Sequence, residues 1–213
     1  MTLRVDWMRG VGTALVTPFF KDGSVDDACF RRLVERQIKG GVGLLVPCGT
    51  TGESVTMSEA ERLHVIRLAC EVAHDKSGRG RPRSRVIAGT GSNSTASTIE
   101  FTRKAREAGA DAALIVAPYY NKPTQEGLFA HYSEIARSVK DFPIMLYNVP
   151  SRTASNISAE TTLKLAEKHE NIVATKEASG NFSQVMEILA KRPKGFKVFS
   201  GDDATALPFI ALG

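Results

Sequence analysis

The amino-acid sequence predicts an α/β fold, a TIM (β/α)8 barrel that is truncated after about seven β/α units. Three observations support this prediction. Short aliphatic and β-branched runs recur along the 213 residues, stretches with helical spacing separate them, and the residues that could carry chemistry follow the runs.

The predicted strands are residues 11–17, 42–46, 86–90, 112–117, 144–148, 172–176 and 198–200. They are apolar along their length, which is typical of parallel strands that are buried on both faces. The intervening segments have helical periodicity, as at Phe30, Leu33 and Val34, and Ser58 with Glu61 predicts a capping box. This alternation predicts a parallel sheet with helical crossovers.

Two parallel architectures fit such an alternation. A doubly wound sheet usually carries a glycine-rich phosphate turn after its first strand, whereas a (β/α) barrel places its chemistry after many strands. The first strand here is followed by Thr17-Pro18-Phe19, and later strands are followed by segments such as residues 49–53, 118–121 and 176–179. The clustering of hydroxyls, glycines and a lysine after the strands favours the barrel.

Composition excludes several other classes of protein. Hydrophobic residues make up 42% and charged residues 24% of the chain, which is typical of a globular protein. No apolar run reaches the roughly 18 residues of a membrane span, and charges in residues 1–10 argue against a signal peptide. We therefore expect a cytoplasmic protein without a membrane partner. Cys29, Cys48 and Cys70 have no spacing that indicates a disulfide framework or a zinc site.

The net charge of +5 arises within one basic segment, residues 76–85. We interpret it as a solvated connector and not as a nucleic-acid site, because no aromatic residues accompany it. The four histidines have no metal-ligand spacing and are predicted to lie on helix surfaces; they are His64, His74, His131 and His169.

A complete barrel needs eight strands, and the seventh predicted strand is followed by a last segment that resembles a helix. We therefore predict that residues 1–213 are one truncated barrel domain, because an unfinished barrel would expose two strand edges.

Lys176 is the lysine that ends a predicted strand at the expected active rim. An ordinary lysine is almost entirely charged at pH 7, and lowering its pKa to about 7 requires roughly 4 to 5 kcal/mol of differential desolvation. A barrel interior can supply this desolvation. A neutral Lys176 would be a nucleophile that forms a Schiff base with a keto acid, although a strand-end lysine that reaches into water is the alternative.

Three other positions fit the same chemistry. Tyr147 ends the preceding strand and could shuttle protons, Thr50 and Thr51 lie between glycines and could contact a carboxylate, and Arg152 could bind a second carboxylate. Each also has a structural interpretation, as a core tyrosine, an ordinary turn or a surface arginine.

Five segments together resemble the dihydrodipicolinate synthase family, in order and in approximate spacing. They are residues 49–54, 118–127, 147–153, 176–180 and 200–203, and the similarity extends from about Gly10 to the last residue. The resemblance implies a lyase that condenses pyruvate with aspartate semialdehyde to 4-hydroxy-tetrahydrodipicolinate, in diaminopimelate and lysine biosynthesis. It implies no metal and no organic cofactor.

The resemblance also assigns roles. It implies that Lys176 forms the Schiff base with pyruvate and that Tyr147, Thr50 and Tyr120 form a proton relay, with Tyr120 donated across a dimer interface. It further implies that Thr51 binds the pyruvate carboxylate, Arg152 binds the semialdehyde carboxylate and Gly201 lines the pocket. A full-length member is expected to be a homo-oligomer, a dimer or tetramer.

Three departures from the family pattern affect these expectations. The family's eighth strand and C-terminal helical domain are missing from the sequence, and the basic connector is longer than usual. Lysine-regulated members carry two histidines and a glutamate at positions that read Glu59, Arg62 and Ser97 here. We expect weak or absent inhibition by lysine, although Asn93 and Tyr119 of that pocket are retained.

Two alternative functions follow. One is an N-acetylneuraminate lyase or keto-deoxy sugar acid aldolase of the same superfamily, against which Arg152 argues. The other is a catalytically silent truncated fragment that folds with a partner.

Overall fold

The computed structural model describes residues 3, 5–75 and 84–213. They form two compact units. The N-terminal unit contains the described residues of Arg4–Thr90 together with Phe101–Leu114, and the C-terminal unit contains Gly91–Glu100, Ile115–Gly213 and Leu3.

The N-terminal unit contains parallel strands in chain order. Strand β1 (Gly12–Ala14) pairs with β2 (Leu44–Val46), β2 pairs with β3 (Arg85–Gly89), and β3 pairs with the start of β4 (Ala112–Val116). Between them lie helices α1 (Asp27–Lys39), α2 (Glu59–Ala73) and α3 (Thr95–Glu107), the last of which contributes residues to both units.

The C-terminal unit continues the same pattern. After the end of β4 come α4 (Gln125–Ser138), β5 (Ile144–Asn148), α5 (Pro150–Thr153), α6 (Ala159–Lys168), β6 (Ile172–Glu177), α7 (Phe182–Lys191), β7 (Lys197–Ser200) and α8 (Ala206–Leu212). Strand β5 pairs in parallel with β6, and β6 pairs in parallel with β7.

The strand order excludes the doubly wound alternative. In that architecture the order reverses beside the first strand, so two later strands flank it. Within the N-terminal unit, however, β1, β2, β3 and β4 pair successively, and within the C-terminal unit β5, β6 and β7 do the same. This successive order is what a (β/α) barrel requires.

Side-chain caps start several of the helices, including α2 at the position that the sequence predicts. The Ser58 hydroxyl accepts from the Glu61 amide, and the Glu61 carboxylate accepts from the Ser58 amide, which confirms the predicted capping box of α2. The side chains of Asp26 and Thr124 cap α1 and α4 by accepting from the amides of Cys29 and Gly127. Each cap satisfies an amide that the helix itself leaves without an acceptor.

Each unit packs the apolar faces of its helices against its strands. In the N-terminal unit Phe30 and Val34 of α1 are completely buried. In the C-terminal unit Leu128 and Tyr132 of α4 are completely buried, and the Tyr132 hydroxyl donates to the Ile115 carbonyl at 3.2 Å. Among the helices of the described residues, none is long and apolar enough to cross a membrane.

The structure corrects the placement of two histidines that were expected on helix surfaces. His131 and His169 are 7% and 9% exposed. Each pairs with a hydroxyl across a helix interface, because His131 Nδ1 lies 2.8 Å from Thr95 Oγ1 and His169 Nε2 lies 2.9 Å from Ser133 Oγ. The helical period places His131 on the buried face of α4, whereas His169 follows the last residue of α6 and packs against α4.

The predicted basic connector falls largely outside the described residues, which resume at Ser84. Its last cation, Arg85, belongs to β3 and donates to the Asp111 carboxylate at 2.6 Å. Asp111 also accepts from the Val86 amide and lies 2.8 Å from His74 Nε2. Arg85 is therefore tied into the fold and is not part of a free cationic surface.

Candidate active site

Lys176 and Tyr147 occupy neighbouring strand ends in the C-terminal unit. They are register partners of β6 and β5. The ammonium nitrogen Nζ of Lys176 lies 4.4 Å from the centroid of the Tyr147 ring. The pairing therefore places the candidate nucleophile and the candidate proton shuttle together, as the sequence predicted.

The surroundings of Lys176 favour its neutral form. Desolvation by burial lowers the pKa of Lys176, and the Asp203 carboxylate partly opposes this by raising it. Asp203 lies in the single 3-10 turn Asp203–Thr205 that follows β7. A lysine with a lowered pKa supplies more of the free amine that attacks a carbonyl.

Gly201 packs against the stem of Lys176. Its amide donates to the Glu177 carbonyl at 2.7 Å. A Cβ atom at this position would lie 2.8 Å from Ala178 Cβ and 3.0 Å from Lys176 Cε. The absence of a side chain at residue 201 therefore leaves the space that Lys176 occupies.

Arg152 lies in the short helix α5, which starts with Pro150, two residues after the end of the strand that carries Tyr147. Its side chain is exposed, and its amide donates to the Val149 carbonyl at 2.9 Å. Proline at the first helical position fixes the backbone for this turn. The guanidinium is thus presented to solvent after β5, where it is available to an anionic ligand.

Tyr120 is the most unusual backbone position among the candidates. Its side chain is 89% exposed and its φ is +74°, a left-handed conformation that is strained for a bulky residue. The loop is held on both sides of it, because the Asn93 side chain donates to the Tyr119 carbonyl and the Asn121 side chain donates to the Asn93 carbonyl. The loop therefore holds Tyr120 at an exposed position of the C-terminal unit.

Thr50 and Thr51 lie in the N-terminal unit, in the 3-10 turn Thr50–Gly52 after β2. Both are exposed, whereas Gly52 is buried and its carbonyl accepts from the Thr17 hydroxyl at 2.8 Å. A Cβ atom on Gly52 would lie 2.8 Å from the Leu15 carbonyl oxygen. This close approach explains the glycine and presents the two hydroxyl-bearing residues at the surface of the unit.

A buried polar network lies next to Lys176 in the sequence and was not predicted from it. Glu177 has no exposed surface, and its carboxylate accepts from Asn148, Gln184 and Ser179. Burial raises the pKa of Glu177, against the opposing effect of these hydrogen bonds. Strand alternation in the sequence does place Glu177 on the opposite face from Lys176. The residues that donate hydrogen bonds to Glu177 could not be predicted, because Asn148 is distant from it in the sequence.

Other potential nucleophiles and ligands do not compete with this site. Burial raises the pKa of the Cys48 and Cys70 thiols to about 12, so both remain protonated at neutral pH. Across residues 3, 5–75 and 84–213, no group of three or more His, Cys, Asp or Glu side chains could hold a metal ion.

Comparison with known proteins identifies relatives along most of the chain. The family model described as "Dihydrodipicolinate synthetase family" matches residues 7–213. The 4-hydroxy-tetrahydrodipicolinate synthase of Chloroherpeton thalassium is 50% identical over 206 residues, which are 97% of this chain and 66% of that protein. The chain thus spans about two thirds of the length of this curated relative.

Solved structures give the same result. The dihydrodipicolinate synthase of Aquifex aeolicus matches with a TM-score of 0.90 and 45% identity, over 97% of this chain and 67% of that one. A chloride-inhibited dihydrodipicolinate synthase from Acinetobacter baumannii, complexed with pyruvate, matches with a TM-score of 0.90 and 44% identity, over 97% and 68%. These matches confirm the barrel class. The described residues of this chain contain seven parallel strands.

Proposed function

We propose, since this chain belongs to the dihydrodipicolinate synthetase family, that it provides the Schiff-base site of a lyase that condenses pyruvate with aspartate semialdehyde. The product is 4-hydroxy-tetrahydrodipicolinate, in diaminopimelate and lysine biosynthesis. The observation that carries the proposal is the desolvated amine of Lys176 at 4.4 Å from the Tyr147 ring.

The reaction begins at the amine of Lys176. Its neutral nitrogen adds to the C2 carbonyl carbon of pyruvate, and the resulting carbinolamine loses water to form an imine. Loss of a C3 proton gives an enamine, whose C3 attacks the aldehyde carbon of the second substrate. The product amine then closes the ring at C2 and displaces Lys176, which regenerates the free enzyme.

The remaining candidates have binding and proton-transfer roles in this proposal. Tyr147, Thr50 and Tyr120 relay protons to and from the carbinolamine, and Thr51 binds the pyruvate carboxylate. Gly201 leaves room for the lysine stem and the bound keto acid, and Arg152 binds the carboxylate of the semialdehyde. The exposed side chain and strained backbone of Tyr120 suit a residue that serves the site of another subunit.

Trapping of the imine tests the proposal directly. The chain is incubated with pyruvate and borohydride, and the modified residue is identified by mass spectrometry. We expect a reduced pyruvate adduct on Lys176 that is absent from Lys176→Met. The control Lys197→Met, which changes a lysine in the neighbouring strand β7, should retain the adduct. An adduct distributed over surface lysines, or no adduct at all, would contradict the proposal and favour a silent fragment.

Arg152 distinguishes this function from that of a sugar-acid aldolase. An exposed guanidinium suits a second substrate that carries a carboxylate near its aldehyde, whereas a polyol needs neutral polar partners. In the full-length enzyme we expect Arg152→Ala to raise KM for aspartate semialdehyde by about tenfold to a hundredfold, since a charge-assisted bond contributes about 1.5 to 3 kcal/mol. Its KM for pyruvate should change little, and turnover of sugar acids by the wild type would favour the alternative.

We further propose that the full-length protein is a cytoplasmic homo-oligomer, and that an eighth strand and a C-terminal helical domain complete its fold. Inhibition by lysine is expected to be weak. At the positions where lysine-regulated relatives carry histidines, Glu59 is paired with Lys104, and the Arg62 guanidinium lies 3.8 Å from the Phe101 ring. Strong inhibition at sub-millimolar lysine in an initial-rate titration would contradict this.

A further inference from the structure

Glu177 is a buried acid for which the proposed reaction has no role. Its side chain has no exposed surface at the end of β6. One carboxylate oxygen accepts from Asn148 Nδ2 at 2.8 Å and from Gln184 Nε2 at 3.1 Å, and the other accepts from Ser179 Oγ at 2.7 Å. Three donors from three segments therefore converge on one carboxylate.

The position of Glu177 in the sheet relates it to the candidate nucleophile. Tyr147 is the register partner of Lys176, and the next pair along the same two strands is Asn148 with Glu177. Side chains alternate between the faces of a sheet, so Asn148 and Glu177 project from the opposite face to Tyr147 and Lys176. Their hydrogen bond joins the two strands one residue beyond the candidate catalytic pair.

Such a bond constrains the register of the strand ends. A slip of one residue would move Lys176 to the other face of the sheet. The slip would also take Asn148 away from Glu177 and leave a buried carboxylate with fewer donors, which is costly. The hydrogen-bonded pair therefore opposes the displacement that would separate Lys176 from Tyr147.

Asn148 extends the same network to the segment that carries Arg152. Its Oδ1 atom accepts from the Ile157 amide at 3.0 Å, and its Nδ2 atom donates to Asn156 Oδ1 at 2.8 Å. The segment from Asn148 to these two contacts contains α5 and therefore Arg152. The hydrogen bonds of Asn148 thus join the start of this segment to its end.

The effect of Glu177 on Lys176 is geometric. The charged group that acts on the pKa of Lys176 is the Asp203 carboxylate, and burial is the larger influence. Glu177 is directed to the opposite face and has its own hydrogen-bond donors. Removing its charge while keeping its hydrogen bonds should therefore leave Lys176 in place.

We propose that Glu177 and Asn148 are positioning residues that hold Lys176 beside Tyr147 and fix the segment of Arg152. The inference rests on the proposed function, because it concerns the same site. It assigns a role to two residues that do not touch substrate in the proposed reaction.

The test compares four variants of the full chain, each checked for folding by circular dichroism and thermal unfolding. Glu177→Met and Asn148→Ser remove the bond between the strand ends. Gln184→Met removes a different donor to the same carboxylate and leaves that bond intact. Glu177→Gln keeps an acceptor for Asn148 and Gln184, and its amide can donate to Ser179.

Two readouts are measured on each variant. The first is the pH dependence of Lys176 acetylation by acetic anhydride, followed by mass spectrometry, which needs no substrate. The second is the rate at which borohydride traps pyruvate on Lys176. Thermal stability alone would not distinguish a positioning role from a structural one, whereas these readouts report on the amine itself.

We expect Glu177→Met and Asn148→Ser to move the acetylation midpoint of Lys176 to higher pH, because a displaced amine is better solvated. Their trapping rates should fall about tenfold or more, since small displacements of a reacting group are costly. Gln184→Met should lose stability but keep both readouts, and Glu177→Gln should restore trapping to about the wild-type rate.

Either of two results would overturn the inference. One is a folded Glu177→Met or Asn148→Ser whose acetylation profile matches the wild type, and the other is an equal change in Gln184→Met. If Glu177→Met does not fold, the result for Asn148→Ser decides whether the inference holds. In that variant the Glu177 carboxylate still accepts hydrogen bonds from Gln184 and Ser179. If the wild type traps no pyruvate, the proposed function fails, and the acetylation profiles still decide the positioning role.

Discussion

At the scale of single residues, the reactivity of Lys176 depends on what surrounds its side chain. Burial lowers its pKa, the Asp203 carboxylate raises it, and Gly201 provides the space for its stem. These influences act on the same amine from different segments of the chain. Each can be changed separately by a small substitution.

Gly201→Ala should displace the lysine. The new methyl group would lie 3.0 Å from Lys176 Cε and 2.8 Å from Ala178 Cβ, so the lysine or the backbone must shift. We expect trapping of pyruvate to slow by about tenfold or more. Gly43→Ala is the control, because a Cβ atom there meets nothing nearer than the Arg9 carbonyl at 4.0 Å. Equal trapping rates in Gly201→Ala and the wild type would show that the methyl group is accommodated.

Asp203→Asn should move the pH profile of imine formation. The carboxylate raises the pKa of Lys176, so its removal lowers that pKa further. Because the neutral amine is the reactive form, the rate rises as pH increases through the pKa, and the midpoint should move to lower pH in Asp203→Asn. Trapping rates measured across a pH series test this, with Asp22→Asn as the control at an exposed site of the other unit. A midpoint that moves upward would contradict the assignment of Asp203.

At the scale of secondary-structure elements, buried hydroxyl and imidazole pairs join helices of the C-terminal unit. The Nδ1 atom of His131 on α4 lies 2.8 Å from Thr95 Oγ1 at the start of α3. The His131 ring packs edge-on against Tyr132. Its Nε2 atom is buried without a hydrogen-bond partner among the described residues. Burial lowers the pKa of His131 from 6.5 to about 4.

The burial of His131 should make folding stability sensitive to acid. The unfolded chain binds the proton more tightly, so the stabilisation is complete above pH 6.5 and is lost as pH falls from 6.5 to about 4. Because a pKa unit corresponds to about 1.4 kcal/mol, stability should fall by about 2 to 3 kcal/mol between pH 7 and pH 4.5. Urea unfolding at pH 7 and pH 4.5 should show less acid loss in His131→Asn than in the wild type. The control His64→Asn, at an exposed histidine, should retain the wild-type loss, and equal loss in all three would exclude His131 as the cause.

At the scale of the whole molecule, the C-terminal unit leaves apolar surface uncovered. Leu207 and Ile210 on α8 are 75% and 77% exposed, and Met186 on α7 is 54% exposed. Within this unit β7 pairs with β6 and with no other described strand. Exposed apolar side chains near an unpaired strand edge favour association between copies.

We therefore expect the 213-residue chain to self-associate as its concentration increases. The double substitution of Leu207→Ser with Ile210→Ser should reduce the association, because it removes apolar surface without changing charge. Val55→Ser, at a 79% exposed position in the 3-10 turn Ser54–Thr56 of the other unit, is the control. Sedimentation velocity over a concentration series measures the effect. Unchanged association in the double variant would show that α8 takes no part in it.

Local patterns predicted the fold class and most of the elements. The segment Ile144–Asn148 is a strand with the predicted bounds, and Ser58 with Glu61 starts a helix as expected. Strand β1 is shorter than predicted, Gly12–Ala14 instead of residues 11–17. Beyond it the Thr17 hydroxyl bonds to the Gly52 carbonyl, a contact between distant segments that a local pattern does not contain.

The alternation of strands and helices and the candidate residues at the strand ends could be predicted from the sequence, because periodicity, caps and motifs are encoded within a few consecutive residues. The folded structure was needed to show that Gly201 packs against Lys176, that His131 is buried, and that Glu177 and Asn148 join β6 to β5. These features depend on contacts between residues that are far apart in the chain. Such contacts determine desolvation and hydrogen bonding, and they exist only after the strands have paired.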